Sequence, residues 1–443
     1  CSSNEDLGTA GPGTGTNESG VGYATFTINL PTTSGTRAGG DPTFVNGDAN
    51  EYKVNDATLL IFKKGGGEKA TKEGDYTFVE SAELGSMAPW KDKNEPGVTT
   101  HAKITAKLDN VNRTDQFFAL VLLNNGTGTN AKVAMPSEGD KFSAWNEAKV
   151  TDKFATPENG FYMANAPLFE NNKVTTLVPI VSDKIYPTEE EAAKNPATDI
   201  YVERGLAKVT LGTGTTTAKP VTSDTYQGDE VTISKWALDV TNKKAYPIHN
   251  VDGLTTDFPD IWSNSSTTAS TTNNATTKRF VDNNTETKVK RVYWGIDPNY
   301  KNTDLCKEDA DGTTARKAEF NYVANANVKE DPAKPLYCLE NTFNLLNMKQ
   351  GQTTRIVFKA TYKPASLPTG ETTFYKIGKN TAIWREADLK QEIEAAVASV
   401  VSGAAGKTTV TLNAKGNDIT AAGTHYIAAA NISVTGATIT PEN

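Results

Sequence analysis

Histidine and cysteine, the residues that most often carry out chemistry in proteins, are scarce in this sequence. It has three histidines, His101, His249 and His425, and three cysteines among 443 residues. None lies in an H-E-x-x-H or C-x-x-C arrangement, so a zinc site has no local support. The hydrolase motif G-x-S-x-G and the phosphate-binding P-loop are also missing. We therefore expect surface or loop histidines, no catalytic residues, no metal and no cofactor, and we predict that the protein is not an enzyme.

The cysteine at position 1 suggests attachment of lipid rather than catalysis. It precedes a polar stretch and a Gly/Thr/Ser/Asn-rich segment at 8–20, whose composition is typical of a flexible tether. This arrangement resembles a bacterial lipoprotein after removal of its signal peptide. Several acyl chains on Cys1 would anchor the protein firmly to a membrane. The alternative is that position 1 is an arbitrary trimming point.

The other two cysteines, Cys306 and Cys338, could form a disulfide in an exported protein. A disulfide needs Cα atoms about 6 Å apart, which sequence cannot show. Pairing and two separate thiols therefore remain equal alternatives.

Charge and hydropathy exclude two classes of function. The net charge is -8, whereas a general nucleic-acid binder needs a basic face to neutralise phosphates. No apolar run approaches the ~20 residues of a membrane-spanning helix. We therefore expect no nucleic-acid partner, and contact with a membrane only through the lipid on Cys1.

The segment behind the tether predicts one strand followed by one cleavable arginine. Apolar side chains alternate with polar ones, which is typical of a half-buried strand; they are Ala24, Phe26, Ile28 and Leu30. Arg37 is the first basic residue of the chain and lies among small residues at 32–41, where proteolytic nicking is favoured. A cut between Arg37 and Ala38 would release the anchor and the strand from the rest of the protein.

The remaining sequence predicts an all-β fold with a few helices. Short apolar strands, such as those at 55–64 and 115–124, are separated by turn residues, which favours β-sandwiches over a parallel sheet. We divide the chain into a tether with a removable strand at 1–37, a domain at 38–190 and a domain at 198–443. The last domain contains a long Thr/Asn-rich loop and one helix at 385–402, whose apolar stripe includes Val400. We also expect a short helix at 188–194 with Thr188 as its N-cap, and burial of the strand at 115–124 on both faces.

Several segments, in this order, resemble the FimA/Mfa-type fimbrillins, which are major structural subunits of the type V pili of Bacteroidia. The resemblance rests on Cys1, the strand before Arg37, and the motifs IYVERGLAKV at 200–209, VYWGIDPNY at 292–300 and YCLENT at 337–342, which leads into TRIVFKATY at 354–362. It covers nearly the whole chain. The last two motifs are most similar to the Mfa-type C-terminal domain.

This resemblance implies two transthyretin-like β-sandwich domains and a fimbrial function. The precursor would be a palmitoylated lipoprotein of the cell outer membrane, and the mature protein would lie in an extracellular fimbrium that supports adhesion, biofilm formation and virulence. An arginine-specific protease would cleave after Arg37, which removes the first strand. The partners would be copies of the same chain, other fimbrial subunits and a surface receptor of unknown identity.

The resemblance also implies polymerisation by donor-strand exchange, in which the C-terminal segment of one subunit fills the groove left in the next. The candidate side chains for filling that groove are Ile427, Ile432, Val434 and Ile439, which do not all share one period-two register. A sandwich that lacks a strand exposes unpaired backbone groups, and donation to the next copy builds a filament. The alternative function is that of a monomeric surface lipoprotein, or a tip or anchor subunit, that binds glycan or protein.

Overall fold

A computed structural model describes the protein at residues 15–29, 50–51, 53–65, 72–84, 101–148, 150–155, 160–170, 173–212, 219–220, 227–251, 290–291, 295–300, 302, 305, 314–342, 352–365, 375, 382, 384–413 and 428–436. Strands dominate these residues and helices are few, which confirms the all-β prediction. Within these ranges, no helix has the length and apolar character that crossing a membrane requires.

The strands and helices of the described ranges are numbered in chain order. The strands are β1 (Gly22–Asn29), β2 (Ala57–Lys63), β3 (Thr77–Glu83), β4 (His101–Leu108), β5 (Phe117–Leu123), β6 (Met163–Asn165), β7 (Leu168–Glu170), β8 (Lys173–Thr175), β9 (Val178–Pro179), β10 (Thr198–Arg204), β11 (Ala207–Val209), β12 (Lys219–Pro220), β13 (Glu230–Asp239), β14 (Thr241–Asn242), β15 (Lys290–Arg291), β16 (Phe320–Asn321), β17 (Leu336–Cys338), β18 (Arg355–Lys363), β19 (Thr408–Asn413) and β20 (Ala428–Val434). The helices are α1 (Phe142–Ala148), α2 (Glu189–Lys194), α3 (Ala315–Glu319) and α4 (Glu386–Val400).

The chain divides into two compact units that are discontinuous in sequence. The first comprises the described residues within Cys1–Val209, Leu238–Tyr322 and Leu336–Arg355. The second comprises those within Thr210–Ala237, Val323–Pro335 and Ile356–Asn443.

This division differs from the boundary that we placed between residues 190 and 198. The strand that we expected to open the second domain, β10, instead lies in the main sheet of the first unit, because it pairs in parallel with β1. A parallel pairing between strands so far apart in sequence leaves no local signature.

The first unit is built on one large sheet with the strand order β3-β2-β5-β6-β10-β1-β4, and β9 also pairs with β5. One face of this sheet holds a core to which β1, β2, β4, β5, β6 and β10 all contribute. The opposite face of β2 and β5 holds a second core, which α1 covers with Phe142 and Trp145. The run at 115–124 was expected to be a strand buried on both faces, and β5 confirms this.

The second unit contains a small three-stranded sheet, β12-β13-β18, and a two-stranded sheet, β19-β20. Trp236 of β13 is fully buried, and its indole N–H donates to the carbonyl of Asp331 at 2.9 Å. Helix α4 packs on β19 and buries Leu389. We expected Val400 to continue the apolar stripe of this helix, but it is 81% exposed because it occupies the last helical position.

Helix α2 is the element whose ends the sequence predicts best. Thr188 is its N-cap and accepts from the backbone N–H of Glu191, as expected for a capping box. The Thr188 hydroxyl also donates to the Glu191 carboxylate at 3.0 Å. The helix packs across β1 and β4 and buries Ala192, so it covers one face of the first strand.

Candidate functional site

The candidate site is the strand β1 with the groove that surrounds it. A turn precedes the strand, in which the Asn17 side-chain oxygen accepts from the backbone N–H groups of Ser19 and Val21, both at 3.0 Å. The strand then runs parallel to β10 and antiparallel to β4. It is therefore an interior strand, and removing it would leave β10 and β4 with unpaired backbone groups.

One face of β1 points into the first core. Ala24, Phe26 and Ile28 are all 0% exposed and belong to the same apolar cluster. These are three of the four side chains that the sequence assigns to the removable strand; the fourth, Leu30, lies outside the described residues. Burying Phe and Ile side chains contributes roughly 1.5–3 kcal/mol each, so these contacts hold the strand strongly.

The opposite face of β1 is also buried, which differs from the half-buried strand that the alternation predicts. Thr25 is 1% exposed and Thr27 is 9% exposed. The hydroxyl oxygens of Thr25 and Thr105 on β4 lie 2.6 Å apart and share a hydrogen bond. The polar face is covered because α2 packs over it, and a sequence pattern of period two cannot reveal such a cover.

The start of β1 packs closely against the segment before α2. Tyr23 and Tyr186 exchange backbone hydrogen bonds at 2.8 and 2.9 Å. A Cβ atom on Gly22 would lie 2.8 Å from Cγ2 of Ile185, so this position has little room for a side chain. Close packing of this kind fixes the strand along its axis.

Among the described residues after β1, Glu51 makes several contacts with distant parts of the first unit. This side chain is only 3% exposed, and its Oε1 lies 2.8 Å from the Lys208 ammonium and accepts from the Tyr337 hydroxyl. The Arg204 Nε–H donates to the Glu51 carbonyl at 2.7 Å. Arg37 and Ala38 lie in the connecting segment at 30–49, outside the described residues. Two firmly held points therefore flank the segment that carries the predicted cleavage position.

The C-terminal candidate strand is part of β20. It pairs antiparallel with β19, with Ile432 opposite Val410 and Val434 opposite Thr408. Val434 is half-buried. Ile427 and Ile439 lie outside the described residues, so their part in a donor strand stays a prediction.

A cluster of titratable side chains around His249 was not foreseen from the sequence. The Nδ1 atom of His249 lies 2.7 Å from Oε1 of Glu203, and its Nε2 lies 3.8 Å from Oε2 of Glu340. These three residues and Asp297 line one small cleft of the first unit. In the sequence, Glu203, Asp297 and Glu340 lie in three separate motifs, at 200–209, 292–300 and 337–342.

Asp297 has the most strongly perturbed carboxyl group of this cluster. Its burial raises its pKa to about 7, although its carboxylate accepts from the backbone N–H groups of Thr342 and Asn299. The nearby charge of Glu340 raises the pKa further. Asp297 can thus exchange a proton near neutral pH, and its carboxylate links the segments at 295–300 and 340–342.

Cys338 lies on β17 and has no disulfide partner among the described residues, and burial raises the pKa of its thiol to about 11. Cys306 and Cys1 lie outside the described residues, so the pairing of Cys306 with Cys338 and the lipid on Cys1 stay predictions. In the described ranges, no group of three or more His, Cys, Asp or Glu side chains could hold a metal ion.

An outward platform of tryptophan side chains would favour the alternative function of binding glycan. Trp145 and Trp236 are 2% and 0% exposed and belong to the interior, and Trp384 is half-buried. Phe154 and Tyr162 stack with centroids 4.0 Å apart, but both rings are also buried. These described rings therefore do not form an outward aromatic surface.

Comparison with known proteins gave distant structural likenesses only. No family model matches the chain. No curated protein matches it either. A crystal structure of a candidate cell adhesion protein from Parabacteroides distasonis shares 12% identity and a TM-score of 0.37, covering 76% of this chain and 75% of that one. A fimbrial assembly protein from the same organism shares 10% identity and a TM-score of 0.28, covering 51% of this chain and 65% of that one.

Fold and site together define an all-β protein with a buried first strand. That strand lies in the interior of its sheet. The sequence after it contains one arginine, Arg37, before Glu51, whose side chain is buried.

Proposed function

We propose that the protein is a structural subunit of a cell-surface fimbria that polymerises by exchanging β1 for a strand of a neighbouring subunit. The observation that carries the proposal is the position of β1 inside the sheet, with Ala24, Phe26 and Ile28 fully buried. In the precursor, Cys1 carries the lipid that holds the chain at the outer membrane. Cleavage after Arg37 then separates the anchor and β1 from the mature subunit, which joins an extracellular filament that supports adhesion and biofilm formation.

The covalent link through residues 30–49 controls this exchange. While the link is intact, β1 competes for its groove at a very high effective concentration, so another strand cannot displace it. After a cut at Arg37 the strand is held only by noncovalent contacts and can dissociate. The mature N-terminus still remains fixed to its own subunit through Glu51, because that side chain is buried against Lys208 and Tyr337.

The partner is a second copy of the same chain, which offers its C-terminal segment. An open groove presents unpaired backbone groups on β4 and β10, and such edges pair readily with another strand. Each donor is itself an acceptor at a different surface, so the contact is heterologous and does not close into a ring.

The test compares three proteins after treatment with an arginine-specific protease: wild type, Arg37→Ala and Arg113→Ala. Arg113 is a matched control, because it is an exposed arginine paired with Asp183 and is distant in sequence from the segment at 30–49. Wild type and Arg113→Ala should form filaments visible by electron microscopy, and Arg37→Ala should stay monomeric.

Two results would contradict the proposal. Filaments from Arg37→Ala would show that cleavage does not control assembly. A wild type that is cut after Arg37 but stays monomeric would instead favour the monomeric surface lipoprotein. A further variant, truncated after residue 423, should be cut but should not form filaments, because it lacks β20.

A further inference from the structure

The groove of β1 contains a polar contact at a buried position. The hydroxyl groups of Thr25 and Thr105 lie 2.6 Å apart, and Thr25 is 1% exposed. When β1 leaves, Thr105, which is half-buried on β4, loses this partner. A strand that replaces β1 with an apolar residue at this position would not restore the hydrogen bond of the Thr105 hydroxyl, which is unfavourable.

The neighbouring positions of the groove demand apolar residues. In the register of β1 with β4, Ala24 lies opposite Ala106 and Phe26 lies opposite Ile104. Since side chains alternate between the two faces, a slip by one residue would put a polar side chain into the core and an apolar one against Thr105. The polar contact therefore specifies which residue of an incoming strand may lie opposite Thr105.

The segment at 430–434 of β20 has the required order of side chains. It reads Ala-Asn-Ile-Ser-Val, and residues 24–28 of β1 read Ala-Thr-Phe-Thr-Ile. Small, polar, large, polar and large residues follow one another in both. If the segment takes the direction of β1, Asn431 replaces Thr25 and Ile432 replaces Phe26, so an amide that can donate and accept meets the Thr105 hydroxyl.

We infer that Thr105 sets the register of strand exchange by hydrogen bonding to Asn431 of a second copy of this chain, whose residues 430–434 enter the groove in the direction of β1. This inference rests on the proposed function. It adds a specificity-determining pair, because the Thr105 hydroxyl requires a hydrogen-bonding side chain opposite it, whereas an apolar alternation alone makes no demand at that position.

The experiment uses the arginine-cleaved full chain and synthetic peptides of residues 426–436. Three acceptors are compared: wild type, Thr105→Val and the matched control Thr77→Val, a half-buried threonine on β3 at the opposite end of the sheet order. Three peptides are compared: unchanged, Asn431→Val and Ser433→Val. Native mass spectrometry measures peptide uptake and release of the fragment that carries β1, and polymerisation of the cleaved wild type is followed in parallel.

We expect the Asn431→Val peptide to bind the wild-type and Thr77→Val grooves about tenfold more weakly than the unchanged peptide, as for a hydroxyl left without a partner. In the Thr105→Val groove this difference should shrink to within about twofold. The peptide variants cannot affect folding of the acceptor, so the comparison on wild type stands even if Thr105→Val folds poorly.

Three outcomes would overturn the inference. Equal binding of all peptides to wild type, with normal polymerisation, would refute the role of Thr105 and leave the proposed function intact. Coupling of Thr105 to Ser433 instead of Asn431 would refute the assigned pair, since an inverted strand or a slip by two residues puts Ser433 at that position. A cleaved wild type that neither polymerises nor takes up the unchanged peptide would refute the proposed function and this inference with it.

Discussion

Strands β1 and β20 have similar sequences but very different surroundings. β1 lies between β10 and β4 and has no exposed apolar side chain, whereas β20 pairs with β19 alone in the described part of the chain. Val434 of β20 is half-buried, while Ile28 of β1 is 0% exposed. The alternation of side chains is therefore not what decides burial; the neighbouring strands and the helix α2 decide it.

This comparison gives a physical reason why the proposed strand exchange, in which β20 leaves its own sheet and enters the groove of β1, would be favourable. A strand that leaves a two-stranded edge and enters an interior groove gains a second backbone partner and buries more apolar surface. In the mechanism that we propose, the precursor would block this gain, because β1 would still be covalently attached. The predictions below test the difference between the two environments, beginning with the largest effect.

Replacing Phe26 with alanine should destabilise the precursor strongly. Phe26 is fully buried in the first core, so the substitution should lower the free energy of unfolding by about 3–5 kcal/mol. Phe358→Ala is the matched control, because Phe358 lies on a strand but is 45% exposed, and it should cost less than about 1 kcal/mol. Urea unfolding followed by tryptophan fluorescence measures both; equal losses would mean that β1 is not an interior strand.

The first unit should also lose stability as the pH rises, because of Asp297. Burial raises its pKa in the folded protein to about 7, from an ordinary value of 3.8. Its contribution to stability is therefore fully present below pH 3.8 and is lost as the pH rises to about 7. The loss could reach about 4 kcal/mol, since one pKa unit corresponds to about 1.4 kcal/mol.

Asp297→Asn tests this pH dependence, since the amide cannot ionise. Urea unfolding between pH 4 and pH 8 should show a flatter profile for the variant than for wild type, whatever its absolute stability. Glu330→Gln, at a carboxyl of the second unit, serves as the control and should keep the wild-type profile. A variant profile as steep as that of wild type would mean that another group titrates in this range.

The sequence predicts individual elements well where the signal is local. The fold class, the buried strand at β5 and the N-cap of α2 were all predicted correctly, because strand alternation, apolar runs and capping residues act over a few positions. The membership of β10 in the first sheet was missed, since it depends on pairing Phe26 with Thr198 across a long stretch of chain.

The candidate site could be predicted only in part for the same reason. Ala24, Phe26 and Ile28 were identified from their spacing, and the structure places all three in one core. The hydrogen bond between Thr25 and Thr105 and the contacts of Glu51 could not be predicted, because each joins residues that are distant in sequence. The cluster at His249 was missed for this reason too, since Glu203 and Glu340 reach it from separate strands and loops.

Replacing Val434 with alanine should have the smallest effect on the single subunit. Val434 is half-buried on a two-stranded sheet, so we expect the free energy of unfolding to fall by less than about 1 kcal/mol. Val121 on the interior strand β5 is 0% exposed, so the control Val121→Ala should lower it by about 2–3 kcal/mol. In a filament, the effect of Val434→Ala should no longer be small. If residues 430–434 fill the groove, Val434 takes the place of Ile28 and becomes fully buried, so its truncation should weaken the filament far more than it weakens the monomer. Urea unfolding of the uncut chain and the SDS concentration that dissociates the filament measure the two effects, and a filament of Val434→Ala as resistant as wild type would place the donor strand elsewhere in the chain.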